Sequence, residues 1–140
     1  VPEEYYNIPA GKAKTTREGN KIAVITYGWP VHWANNLADE LGGNDLEVLD
    51  LRTLVPLDWE AVFAAVKKCA KAIVLQEDTQ SFGVASEIAA RIQQDCFYSL
   101  DAPVVKIGSL DTAVPFAGKL EQQFLPQDRF KAAVENLLKL

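Results

Sequence analysis

The chain has 140 residues, 49% of them hydrophobic, and a formal net charge of −5, enough for one compact domain that buries about two-thirds of its unfolded surface. Acids and bases are interspersed, so no basic stripe marks a nucleic-acid or anionic-membrane surface. The apolar runs, such as Ala72 to Leu75, fall far short of the ~20 residues that cross a bilayer, and no leader pattern opens the chain. A soluble, intracellular protein is expected. The opening Val1-Pro2-Glu3-Glu4 and the lack of methionine suggest a piece of something longer.

From the amino terminus, residues 1 to 20 read as an arm. Its one extended run, Lys12 to Arg17, ends at the turn signal Gly19-Asn20. The domain proper is expected over 21–140. Ile22 to Tyr27 is a β-branched run of strand length closed by Gly28 and Pro30. From Val31 the apolar spacing changes to Ala34, Leu37, Ala38 and Leu41, a helical stripe, with Gly42-Gly43 as a left-handed stop. Leu46 to Leu51 is the next strand, and Asp58 is a predicted N-cap for a helix facing inward through Trp59, Val62, Phe63, Val66 and Cys69.

Ala72 to Gln76 reads as a strand. A long helix from Val84 to Ser99 follows, with Ala85, Ile88, Ile92 and Cys96 inward, and then the strand Val104 to Ile107 after Pro103. A connection rich in turn residues leads to a last helix capped by Asp128, with Phe130, Ala133, Val134, Leu137 and Leu138 on one face. Strands alternating with helices predict a three-layer α/β fold, its mostly parallel sheet covered on both faces. The functional crevice of such sheets lies beyond the carboxyl ends of the strands. Those ends carry Tyr27-Gly28-Trp29, Asp50 to Arg52, Gln76-Glu77-Asp78 and Gly108-Ser109.

The chemistry legible there is sparse. No glycine-rich strand-to-helix loop offers a backbone cradle for phosphate, since Gly28 stands alone and Ser81-Phe82-Gly83 holds one glycine. His32 is the only histidine, which excludes a multi-imidazole metal site; it is either a general base or an amphipathic side chain at a helix start, and no matching nucleophile favours the first role. Glu77 and Asp78 are either an acid pair or solvated charges. Trp29 and Trp33 suit a partner surface or core packing equally. Cys69 and Cys96 continue apolar helical stripes and are expected to be buried, reduced thiols.

The segment LDLRTLVPLD from Leu49 to Asp58 resembles one characteristic of the β subunits of thiamine-diphosphate-dependent pyruvate and branched-chain 2-oxo acid dehydrogenases. VPEEYY at Val1, VITYG at Val24, ASEIAARIQQDCF at Ala85, LDAPV at Leu100, DTAVPF at Asp111 and FLPQ at Phe124 agree with it in order. The resemblance covers essentially the whole chain. It implies the carboxyl-terminal domain shared with transketolases, a five-stranded mixed sheet whose first strand is antiparallel. It also implies that thiamine diphosphate and Mg2+ belong to other domains of the parent enzyme, so this fragment is expected to bind neither and to carry no catalytic residue. Implied partners are an α subunit or α part, a second β subunit and the subunit-binding domain of a dihydrolipoyl acyltransferase. The docking groups carried over are Asp101 and the α-carboxylate of Leu140. The implied compartment is the cytoplasm, or the mitochondrial matrix in a eukaryote.

Three positions depart from the family pattern. Phe82-Gly83 replaces a frequent glycine pair, Ala113-Val114 a proline-aromatic pair, and Gln76 a histidine beside Glu77. Val31-His32 and Ala85 to Ile88 lean toward the branched-chain enzymes. The alternatives are a transketolase-type transferase and a free-standing, non-catalytic α/β binding module.

Overall fold

The computed structural model describes residues 3–140; Val1 and Pro2, which begin the VPEEYY match, lie outside the described residues. Five strands form one sheet: β1 (Lys14–Arg17), β2 (Ile22–Thr26), β3 (Leu46–Asp50), β4 (Ala72–Thr79) and β5 (Val105–Ser109). Their order is β1-β3-β2-β4-β5. The four later strands are parallel, and β1 pairs antiparallel with β3, as the resemblance implied.

Alternation along the central strands builds two cores. Ile22 and Val24 of β2, with Ile73 and Leu75 of β4, face one side, against α1 (Pro30–Leu41) and α5 (Gln127–Leu137). Ala23 and Ile25, with Ala72 and Val74, face the other, against α2 (Trp59–Cys69) and α3 (Val84–Asp95). A strand covered on both faces has no polar face, which is why β2 is buried at every position and reads as a continuous apolar run. The connection through α1 leaves β2 toward β3, while that through α2 returns past β2 to β4. The sheet therefore reverses direction between β2 and β4, the place where such folds open a crevice.

Several sequence expectations are corrected. The run Val84 to Ser99 divides into α3 and a 3-10 turn at Phe97–Ser99, because the chain must tighten to re-enter the sheet at β5. Strand β4 continues past Gln76 to Thr79, and β5 runs from Val105 to Ser109. The turn-rich connection contains α4 (Gly118–Phe124), whose single buried residue, Phe124, leaves no apolar stripe to read. Asp128 is not a cap: Pro126 occupies that position, and Asp128 lies in the first turn of α5, where its charge suits the helix dipole. Trp33 is 8% exposed and belongs to the core, whereas Leu41 is 37% exposed because α1 is ending there. Asp58 does cap α2, accepting from the Ala61 N–H at 3.3 Å.

One charged side chain is buried within the sheet. Glu47 of β3 meets the Lys68 ammonium of α2, which also pairs with Glu18 at 2.8 Å. The hydrogen bonds from Lys68 to Glu18 and Glu47 raise the lysine pKa above its ordinary value. Cys69 and Cys96 are buried free thiols; burial pushes Cys69 up to about 11 and Cys96 in the same direction, so both are neutral at physiological pH.

Candidate functional site

The crevice between the carboxyl ends of β2 and β4 is flanked by Tyr27 on one side and Glu77 and Asp78 on the other. Burial, then the charges of Asp78 and Glu77, raise the Tyr27 phenol pKa. Both carboxylates are exposed, and Asp78 Oδ1 accepts from the Thr79 N–H at 2.7 Å. An acidic, phenolic crevice without a glycine-rich turn repels phosphate where this class of sheet commonly holds it.

Beyond this crevice, two loops are joined. Ser81 donates to Asp111 through its hydroxyl at 2.7 Å and its backbone N–H at 2.8 Å, and these bonds hold the Asp111 carboxyl below the ordinary carboxylate pKa. The joined loops project apolar side chains into solvent: Phe82 is 103% and Phe116 105% exposed, with Val114 and, across the crevice, Trp29 also exposed. Phe82 stands at φ 61, a left-handed conformation that glycine adopts without strain. Another departure from the family pattern, Gln76, is fitted against Gly83. The buried Gln76 side chain accepts from the Ala85 N–H at 2.7 Å and donates to the Thr79 carbonyl at 2.6 Å, and a Cβ on Gly83 would fall 2.1 Å from its Nε2. Gln76 thus anchors the start of α3, and a side chain at 83 would have to displace its amide.

His32 is exposed on α1, its ring centroid 5.2 Å from that of Trp29. It has no nucleophile or orienting acid in hydrogen-bond contact among the described residues, so the amphipathic reading stands. Ser86 and Lys106 form a nucleophile–amine hydrogen bond at 2.9 Å, but neither lines any of the grooves described below.

Asp101 and Leu140 lie toward the opposite end of the sheet. The Asp101 N–H donates to the Ala70 carbonyl at 2.8 Å, and the next residue, Lys71, donates through Nζ to the Leu137 carbonyl at 3.0 Å. Consecutive residues before β4 thus tie the Asp101 turn to the end of α5. The Asp101 side chain is exposed and Leu140 is 78% exposed. Beside Asp101 runs a shallow groove of about 430 Å³. Phe97 and Tyr98 form one wall, their rings edge to face at 5.3 Å and Tyr98 fully exposed. Sequence reasoning placed both aromatics in a helix and missed this wall; the only signal was two consecutive aromatics, one of which a helix stripe would leave outside.

The described residues do not fit the diphosphate and metal of the cofactor that the resemblance implies. They contain no group of three or more His, Cys, Asp or Glu side chains able to hold a metal ion, and no glycine-rich turn where a backbone could cradle the anion. Among them, no helix is long and apolar enough to cross a membrane.

A five-stranded sheet with one antiparallel edge strand and helices on both faces, an acidic switch-point crevice and exposed apolar side chains on its loops define a three-layer α/β domain. The family model described as the transketolase C-terminal domain matches residues 11–129, and the chain belongs to that family. It is 41% identical over 141 residues to the 2-oxoisovalerate dehydrogenase subunit beta of Bacillus subtilis (strain 168), covering 98% of this chain and 43% of the relative. It is 43% identical over 131 residues to the pyruvate dehydrogenase E1 component subunit beta of the same organism, covering 92% and 40%. The corresponding Staphylococcus aureus (strain N315) protein is 39% identical, with 98% and 43% covered. The chain thus spans less than half the length of these relatives. Among solved structures, a chain described as a split gene transketolase, inactive beta4 tetramer, superposes with a TM-score of 0.77 at 24% identity, covering 100% of this chain and 46% of that one, which shows the fold.

Proposed function

We propose that this chain is the carboxyl-terminal domain of the β subunit of a thiamine-diphosphate-dependent 2-oxo acid dehydrogenase, serving subunit assembly and docking while the chemistry resides in other domains. The observation that carries this reading is the alignment of 98% of the chain with a dehydrogenase β subunit, in a fold whose crevice lacks the chemistry to hold the cofactor. The arm over 1–20 and the domain over 21–140 serve as one piece in this reading, because Gly11 donates to Thr53 Oγ1 at 2.9 Å and Ala13 to Asp58 Oδ2 at 3.1 Å. Cofactor and Mg2+ bind elsewhere in the parent enzyme, which acts in the cytoplasm or, in a eukaryote, the mitochondrial matrix. The substrate leans toward a branched-chain 2-oxo acid on the Val31-His32 and Ala85 to Ile88 runs.

The apolar rim of Trp29, Phe82, Val114 and Phe116 is the surface offered to an α subunit or a second β subunit, since large exposed apolar patches mark interfaces. The opposite end, with Asp101 and the Leu140 carboxylate, receives the basic subunit-binding domain of a dihydrolipoyl acyltransferase. A carboxylate facing arginine forms charge-assisted, often bidentate bonds that steer association and resist dissociation once desolvated. In the assembled enzyme, Asp101→Asn and a one-residue extension past Leu140 should each weaken acyltransferase binding in calorimetry. The loss should be ~2 to 5 kcal/mol for a buried pair and under ~1 kcal/mol for a rim contact. Unchanged affinity for both variants at low ionic strength would remove these groups from the docking site.

A further inference from the structure

A further groove lies on the amino-terminal side of the domain. It measures about 700 Å³ and lies between the amino-terminal arm, with Ile8 to Ala10 as one wall, and the first turns of α1, over the carboxyl end of β3. Its polar lining can be accounted for group by group. Thr53 Oγ1 accepts from the Gly11 N–H at 2.9 Å and donates to the Pro56 carbonyl at 2.9 Å. Thr16 Oγ1 donates to the Val48 carbonyl at 3.3 Å and accepts from Asn35 at 3.1 Å, and the Asn35 amide also donates to the Val31 carbonyl at 2.8 Å. Asp50 Oδ1 accepts from the Arg52 N–H at 3.0 Å.

What remains are the side-chain donors of Lys14, His32 and Arg52, none of which has a hydrogen-bond or ion-pair partner among the described residues. Two fixed cations and an imidazole therefore face one groove that holds a single carboxylate, in a chain whose net charge is −5. Elsewhere the exposed cations Lys21, Lys68 and Lys131 are paired with carboxylates, and the exposed lysines Lys67, Lys119 and Lys139, unpaired among the described residues, line none of this groove. The walls are pre-built: the arm is tied to the loop after β3 through Gly11, and Arg52 is held at φ 58 by its bond to Asp50. A planar guanidinium fork, an ammonium point charge and an imidazole N–H are the donor set that recognises a tetrahedral oxyanion.

We propose that this groove binds the phosphate group of a small metabolite through Arg52, Lys14 and His32. The site differs in kind from a glycine-rich cradle, because its donors are side chains, and from a metal-bridged diphosphate site, because Asp50 is its only carboxylate. The proposal is independent of the docking reading.

The test is a nitrogen-resolved NMR titration of the chain with inorganic phosphate at constant, low ionic strength. Expected are saturable millimolar shifts confined to Gly28, His32, Arg52 and Thr53, an approximately tenfold weaker affinity in Arg52→Gln, a smaller loss in Lys14→Gln, and no change in Lys119→Gln. Should Arg52→Gln fail to fold, Lys14→Gln against Lys119→Gln decides alone. Shifts that do not saturate, that spread over the surface lysines, or that persist at full strength in the folded Arg52→Gln and Lys14→Gln variants would overturn the site. Citrate binding at least as tightly as phosphate would overturn the phosphate assignment, and binding that requires added magnesium would overturn the direct side-chain mechanism.

Discussion

Two residues show how steric detail divides between folding and function. Gly19 is buried against the start of β3, where a Cβ would sit 2.2 Å from the Leu46 carbonyl carbon and 2.4 Å from the Glu47 nitrogen. Backbone cannot yield as a side chain can, so Gly19→Ala should cost roughly 3 kcal/mol or more in urea unfolding. Phe82 is the opposite case. Its left-handed φ of 61 costs about 1 kcal/mol for a bulky residue, and its ring makes no compensating burial within the chain. Phe82→Gly should therefore leave the isolated chain as stable or stabilise it by up to about 1 kcal/mol, while weakening subunit assembly in the parent enzyme. A destabilised chain would show that the ring packs within its own domain.

At the scale of elements, Asp58 joins three parts of the molecule. Its Oδ1 caps α2, its Oδ2 accepts from the Ala13 N–H ahead of β1, and Lys12 lies 3.7 Å away. The antiparallel edge strand is thus secured by more than its ladder with β3. Asp58→Ala should cost about 1 to 2 kcal/mol for the cap, with a further loss from the stranded Ala13 amide. Asp58→Asn should keep much of the cap, because Oδ1 remains, yet release the arm, because an amide nitrogen cannot accept. Hydrogen exchange at Ala13 should quicken in both variants, and unchanged exchange in Asp58→Asn would mean that β1 is held by its ladder alone.

For the whole molecule, the sheet presents two ends of different character: an apolar rim with the phosphate groove at the carboxyl ends, and an aromatic, carboxylate-bearing surface around Asp101. Calorimetric titration of the chain with thiamine diphosphate and magnesium should show no micromolar binding, because the ligand set for a metal-bridged diphosphate is missing from the described residues. Micromolar affinity would place the cofactor site within this domain and overturn its assignment as an assembly and docking piece.

The helix and strand sequence of the core was legible from residue patterns alone. Buried strands such as β2 and striped helices such as α2 declare themselves through local periodicity, and Asp58 announced its cap by type and position. The ordered segments that resemble dehydrogenase β subunits carried the family, the antiparallel edge strand and the candidacy of Asp101. Other features depended on distant partners. Helix α4 has too little buried surface to pattern its sequence, and Trp33, buried at 8% exposure, shares its surroundings with Phe130 of α5, a distant part of the chain. The fit of Gln76 against Gly83 and the meeting of Lys14, His32 and Arg52 join residues from separate elements. Periodicity reports which way a side chain faces within its own element; which groups it meets across the sheet is decided only when the chain closes into its tertiary structure.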